Sequence, residues 1–364
     1  MTLVVKLGSS VVAADDGSLR ADVLDSVCAQ VGALRRGGEQ VVLVTSGAIA
    51  RGMRLLDLAE RPRAMDELQA CSAVGQGDLF QAYRERLEAG GTKAAQVLLT
   101  LSDVSERSHY LNARQALERL LAWGLVPVIN ENDTTSTDEI TFGDNDFLAA
   151  LVAALLNARL LVLLTNTDGV FTADPRTDPG AELVGRIDDA SSLAEIRIGA
   201  SSALGRGGMQ SKIASARIAS ESGVPVVICN GTRAGELAAA AAGEEIGTRF
   251  TARVEGRLTP YKLWLKYAKR PAGSVVVDAG AAVRLRESGS SLLAVGVTGA
   301  DGSFQPGDAV WVLERGIERP LGKGISEYSS DDVARTAGHR SAYVREHFPD
   351  APEEVIHRDR FVLL

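Results

Sequence analysis

The chain has 364 residues, 45% of them hydrophobic and 24% charged, with a formal net charge of −8 and a pI near 5.2. That length allows about two domains with ample core. The acidic balance argues against a chain built as a whole to coat nucleic acid or an anionic membrane.

The first 250 residues alternate apolar β-type runs with helical patterns. Leu3 to Leu7 reads as a strand, although Lys6 interrupts its apolar run. A lysine there is costly to bury unless it meets an anion. Gly8, Ser9 and Ser10 follow, and a turn of that composition can aim N–H groups at a phosphate. An edge-strand lysine is the plainer alternative. The run also makes the N-terminus a strand and not a signal peptide. Val23, Leu24, Val27, Cys28, Val31 and Leu34 recur at helical spacing. Val41 to Val44 is a strand, and Thr45 to Ala50 is a small-residue turn opening a helix. That turn exposes N–H groups and the Ser46 hydroxyl to an anion, or uses Ser46 as a plain N-cap.

Met65 to Leu87 reads as a helix, Ala95 to Leu99 as a strand, Asn112 to Trp123 as a helix and Leu125 to Ile129 as a strand. The segment Asn130 to Asp146 then holds six carboxylates and three asparagines with no Lys or Arg. Carboxylates packed so closely repel one another unless they share a cation. Asp144 and its neighbours could instead cap the next helix, but that leaves Glu131 and Asp133 unexplained. Phe147 to Leu156 is helical. It is the longest apolar run and too short to span a bilayer. Leu160 to Leu164 is a strand, and turns at Asp168-Gly169 and Asp174-Pro175 follow it. Gly205 to Lys212 is a glycine-rich loop feeding a helix over Gln210 to Ser222. It offers N–H groups and a point charge to a phosphate, or serves as a flexible connection. Val224 to Ile228 is a strand, and the Ala-rich Leu237 to Ala242 a helix. Strands that are apolar throughout, alternating with helices, predict an α/β fold with a mostly parallel sheet sandwiched between helices.

The character changes after Gly256. Arg253 to Arg270 carries six basic residues against one acid, with Tyr261, Trp264 and Tyr267 interleaved. Short β-like runs follow at Ser274 to Val277, Ala282 to Leu285, Leu292 to Val297 and Ala309 to Leu313. They predict a smaller β-rich C-terminal domain. The predicted organisation is a first domain over 1–256, a basic linker over 257–270, and a β-rich domain with its tail over 271–364. Cys28, Cys71 and Cys229 are far apart and lack metal spacing, so they read as buried thiols in a reducing compartment. These features predict a cytoplasmic protein.

Two lysines, two glycine-bearing anion sites and an acidic loop on one α/β sheet form a constellation suited to phosphoryl transfer, where catalysis is mostly positioning and charge neutralisation. The segments VVKLGSS, VTSGAIARG, INEND, FGDND, DGVFTADPR and GGMQSK stand in the order and spacing of the amino acid kinase family, which the chain resembles over nearly its whole length. PAGSVVVDAG and SGSSLLAVGV resemble a PUA domain. The resemblance implies an amino acid kinase fold and ATP-dependent phosphorylation of the L-glutamate γ-carboxylate to glutamyl 5-phosphate, the first step of proline biosynthesis. It implies ATP and Mg²⁺ as cofactors and glutamate as substrate. It also implies feedback by proline and a homo-oligomer, with no membrane partner. It makes Lys6, Lys212 and Asp146 catalytic, and Ser46, Asp133 and Asn145 ligands of glutamate. Lys6, Thr165, Asn166, Arg206, Gly207, Gly208, Met209, Gln210, Ser211 and Lys212 would contact ATP, and no residue is assigned to bind a metal directly. Asn166 stands where Asp is usual, and Arg206 where a small or hydroxyl residue is usual. The competing readings are a kinase for N-acetylglutamate or aspartate, and an RNA-binding protein acting through the PUA domain. Residues 271–364 hold 10 Lys/Arg against 14 Asp/Glu, which weighs against RNA.

Overall fold

A computed structural model describes the chain except residues 101–102, 104–106, 136–143, 189–207, 254–256, 268 and 350–351; at 107, 108 and 144 it describes the backbone only. The chain divides into two compact units, Met1–Pro260 and Tyr261–Leu364.

The first unit runs β1 (Thr2–Leu7), α1 (Ser9–Val12), α2 (Ala21–Arg36), β2 (Gln40–Val44), α3 (Ala48–Leu55), α4 (Met65–Ala89), β3 (Ala94–Leu99) and α5 (Arg107–Ala122). It continues β4 (Val126–Glu131), α6 (Asp144–Leu155), β5 (Leu160–Thr165), β6 (Arg186–Ile187), α7 (Met209–Glu221), β7 (Val226–Asn230), α8 (Glu236–Ala242) and β8 (Thr248–Phe250). The strands form one sheet in the order β3-β4-β2-β1-β5-β7-β8-β6. Neighbours are parallel except β7 and β8. The short strands β6 and β8 lacked the apolar run that marked the others.

The strand pleat decides what Lys6 meets. Leu3, Val5 and Leu7 of β1 pack into a core with Val23, Leu24 and Val27 of α2 and Leu79 and Tyr83 of α4. Side chains alternate across a strand, so Val4 and Lys6 point to the opposite face. That face is covered by α6, whose residues Phe147 to Leu155 are all buried. An α6 that is apolar all round is what a helix enclosed between a sheet and a neighbouring helix requires.

The second unit holds α9 (Pro260–Tyr267, beginning on the last residue of the first unit), β9 (Pro271–Val277), α10 (Ala279–Glu287), β10 (Leu292–Leu293), β11 (Val297–Gly302), β12 (Ala309–Glu314), β13 (Gly322–Ile325), α11 (Ser330–Thr336), α12 (Ser341–His347), β14 (Glu354–Ile356) and β15 (Phe361–Leu363). Five strands form a sheet in the order β11-β9-β12-β13-β15, and β10 pairs with β14. Its core includes Val275, Val277, Phe304, Val310, Val312, Tyr328 and Phe361. One sequence expectation is corrected here: Ala282 to Leu285 is not β-like but lies within α10. The Asp278 side chain caps that helix by accepting the Ala281 N–H at 2.7 Å, and Ala282 and Leu285 are buried at helical spacing. The basic stretch contains α9, whose C-terminal end is held by Lys323. Its ammonium donates to the carbonyls of Lys266 and Lys269, each at 2.9 Å, and stands 4.7 Å from the centre of the Trp311 ring. Burial pulls its pKa down to about 8.

Candidate active site

The carboxyl ends of the central parallel strands bring the sequence motifs to one edge of the sheet. Lys6 lies near the end of β1, Thr45 and Ser46 follow β2, Glu131 ends β4, Thr165 ends β5 and Asn230 ends β7. In open α/β sheets this edge is where ligands bind. The Gly8 N–H donates to Leu164 O at 3.2 Å, the Thr45 N–H to Ile129 O at 2.8 Å and the Gly231 N–H to Thr165 O at 2.8 Å. The motif-bearing loops are thus tied to neighbouring strands.

Three charges from three elements meet at the centre. Lys6 Nζ of β1 stands 2.5 Å from Asp146 Oδ1, and Lys212 Nζ of α7 stands 3.1 Å from Asp146 Oδ2. Ser211 Oγ donates to the same Oδ2 at 2.9 Å. Asp146 is 1% exposed, Lys6 4% and Lys212 5%. Burial alone would raise the Asp146 carboxyl, but the two ammonium groups outweigh it and hold the pKa down to about 2. Asp146 is therefore an ionised anchor that fixes the direction of both lysines. Together the three groups sum to +1, the sign that suits an incoming phosphate. Asp146 sits in the first turn of α6, where a negative charge also faces the positive end of the helix dipole.

A second cluster lies at the end of β4 and on the loop after it. Ser72 Oγ of α4 donates to Asp133 Oδ2 at 2.5 Å. Burial pushes the Asp133 carboxyl above the usual carboxylate range, against smaller opposing effects from the Ser72 hydrogen bond and Arg61. This carboxylate is poorly solvated for its charge, which favours a cationic ligand. Asn130 Nδ2 donates to Gln76 Oε1 at 2.6 Å, while the buried Asn130 Oδ1 has no hydrogen-bond partner among the described residues. Asn145 Oδ1 accepts the Glu131 N–H at 3.0 Å, pinning the start of α6 to the end of β4. Ser46 is buried, and the N-cap of α3 is Gly47, so Ser46 is not the plain cap that the sequence allowed.

The expected nucleotide residues divide. Thr165 and Asn166 stand together at the end of β5, with Thr165 Oγ1 3.5 Å from Asn166 Oδ1. Gly208 is the N-cap of α7, and Met209, Gln210, Ser211 and Lys212 form its first turn. Ser211 is turned toward Asp146. Arg206 and Gly207 lie outside the described residues, as do Phe142 and Gly143 of the second acidic motif. Beside Asn166, Asp168 accepts from Asn230 Nδ2 at 2.8 Å and from Arg233 Nη2 at 2.9 Å.

Sequence reasoning missed Ser72, Gln76, Asn230 and Arg233. Ser72 and Gln76 carried one legible signal: they are polar residues one turn apart in the helix predicted over Met65 to Leu87.

The amino acid kinase family model matches residues 1–230, well over half of the chain. The chain belongs to the amino acid kinase family. A PUA domain model matches residues 273–348. A glutamate 5-kinase of Pelobacter propionicus is 43% identical over 367 residues, covering 100% of this chain and 97% of that protein. Glutamate 5-kinases of Burkholderia mallei and Burkholderia pseudomallei are each 46% identical over 364 residues, with the same coverage. The fold is thus an amino acid kinase α/β sheet followed by a β-rich PUA domain.

Proposed function

We propose that the chain transfers the γ-phosphoryl group of ATP to the γ-carboxylate of L-glutamate, giving glutamyl 5-phosphate and ADP, the first step of proline biosynthesis. The observation that carries the reading is the buried Lys6–Asp146–Lys212 cluster at the carboxyl edge of the sheet. It stands in a chain similar over its full length to glutamate 5-kinases.

The chemistry asks little covalent help from the protein. A glutamate side chain has a pKa near ~4.3 and is ionised at neutral pH, so no general base is required. A carboxylate oxygen attacks the γ-phosphorus, and the bond from that phosphorus to the bridging oxygen breaks, its electron pair leaving with ADP. The obstacle is the approach of an anion to a polyanion. Lys6 and Lys212 would offset that repulsion and the charge that develops in the transition state. Asp146 holds both lysines in position, and its own low pKa keeps it from taking a proton from either. N–H groups at the start of α7 would add fixed dipoles. Asp133 would pair with the substrate ammonium, while Ser46 and Asn145 would complete the amino-acid pocket.

Among the described residues, no group of three or more His, Cys, Asp or Glu could hold a metal ion, and both Asp146 oxygens face ammonium groups. The described residues do not form an all-protein metal cage. Mg²⁺ would instead be carried on the nucleotide phosphates, where it supplies positive charge.

Residues 1–256 would form the catalytic domain, 257–270 the connection and 271–364 the PUA-like part. The same reading makes proline a feedback inhibitor, the assembly a homo-oligomer and the cytoplasm the site of action. No described helix is long and apolar enough to cross a membrane. An ADP-release assay with glutamate, N-acetylglutamate and aspartate tests the proposal. Turnover with glutamate supports it, and turnover confined to either other substrate overturns it.

A further inference from the structure

Two side chains of α4 grip the loop after β4 in matching register. Ser72 and Gln76 are four residues apart, hence on one face of the helix. Their partners are three apart in the chain, Asn130 near the end of β4 and Asp133 on the loop just after it. Ser72 Oγ donates to Asp133 Oδ2 at 2.5 Å, and Gln76 Oε1 accepts from Asn130 Nδ2 at 2.6 Å. Ser72 is 3% exposed, so its hydroxyl is committed to this contact and not to solvent.

Between them lies Gly75, where α4 meets α3 almost backbone to backbone. A Cβ at Gly75 would stand 2.0 Å from Ala48 O, and one at Gly52 would stand 1.7 Å from Cys71 O. Such an approach admits only glycine at both positions. Helix α3 begins directly after Ser46 and Gly47. One helix therefore holds the loop of Asp133 by hydrogen bonds and the turn of Ser46 by contact, and so fixes one against the other.

We propose that Ser72 and Gln76 are positioning residues for the amino-acid pocket, orienting Asp133 and Asn130 toward the substrate's α-amino end. The inference rests on the glutamate kinase reading above. Neither residue reaches the phosphoryl-transfer cluster, so the effect should appear in the binding of the amino acid and not in that of ATP. The Ser72 hydroxyl gives the Asp133 carboxylate a fixed donor, which favours its ionised form and holds one oxygen in place. The other oxygen is left to face an ammonium group.

The test is steady-state kinetics on the full chain with glutamate and ATP varied in turn. Turnover of glutamate by the unsubstituted enzyme comes first, since its absence would defeat the functional reading and not this one. Ser72→Ala should raise the glutamate KM about tenfold, the loss of one hydrogen bond to a charged group, with kcat and the ATP KM little changed. Ser72→Thr, which keeps the hydroxyl, should recover most of that loss. Gln76→Ala should act in the same direction and provides the test if Ser72→Ala folds poorly. An unchanged glutamate KM in both alanine variants overturns the inference. So does a parallel loss in both substrates' KM and in Tm, which would mark a merely structural role.

Discussion

Lys6 and Asp146 lie 140 positions apart in the chain, yet the ammonium of one stands 2.5 Å from the carboxylate of the other in a buried site. Lys212 approaches the second oxygen of the same carboxylate. Asp146 is thus shared between the strand and the helix that carry the two candidate phosphate-binding charges. Loss of any one of the three should be felt by the others.

Lys212→Ala should lower kcat by about a hundredfold to a thousandfold, the scale for removing one preorganised donor from a transition state. The glutamate KM should change little, because Lys212 would act on the transferring phosphoryl group. If stopped-time assays show only KM moving, Lys212 is a binding residue and its catalytic role is wrong.

Asp133→Ala should do the reverse. Its carboxylate would pair with the substrate ammonium, and loss of a desolvated charge partner should raise the glutamate KM by about a hundredfold. Since burial raises the Asp133 pKa, glutamate binding should weaken as pH falls through a value higher than an ordinary aspartate shows. A pH profile of kcat/KM for glutamate, with ATP saturating, measures this. A flat profile through the weakly acidic range speaks against the assignment.

Asp146→Asn should cost stability as well as activity. It leaves two buried ammonium groups without their shared carboxylate, a loss of about 3–5 kcal/mol in urea unfolding. A similar midpoint for the variant and the parent would show that the cluster adds nothing to folding.

The pH dependence of that difference has a definite sign. The folded pKa of Asp146, about 2, lies below its ordinary value of 3.8. A depressed carboxylate contributes stability that is fully present above about pH 4 and lost as pH falls toward about 2. The contribution at stake is about 2 kcal/mol. The stability gap between parent and Asp146→Asn should therefore narrow over that window, measured as paired denaturant titrations. A gap that widens on acidification would contradict the shared-carboxylate arrangement.

Gly75→Ala should be the most damaging single-methyl change in α4. The added carbon would meet the Ala48 carbonyl and the Gly52 backbone N at 2.0 and 2.4 Å, neither of which can rotate away. A destabilisation of about 1–3 kcal/mol or more is expected from overpacking. Differential scanning calorimetry checks it, and an unchanged Tm would mean that the two helices can separate at no cost.

Much of this was legible in the residues. Apolar strands such as Leu160 to Leu164 require burial on both faces, and the helical spacing of Val23 to Leu34 requires a covering helix; both follow from local periodicity. The lysine inside β1 and the acidic loop flagged an electrostatic problem, because such groups are costly to bury alone. The run Ala282 to Leu285 is ambiguous because three apolar residues around Arg284 satisfy the alternation of a strand or the spacing of a helix equally. The Asp278 cap, accepting the Ala281 N–H, decides for the helix.

The sequence by itself determined the α/β class, the positions of the glycine turns and the residue types that phosphoryl transfer needs. Only the tertiary structure decided which charge meets which. The pleat of β1 sends Lys6 to the face covered by α6, the first turn of α6 presents Asp146 there, and α7 delivers Lys212 to the same carboxylate. It also decided that α4, read simply as a long helix, hydrogen-bonds the end of β4 through Gln76 and the loop after it through Ser72. Pairings of this kind depend on strand order and helix packing, which arise from contacts far apart in the chain, so spacing can mark a polar face such as Ser72 and Gln76 but not the residue it meets.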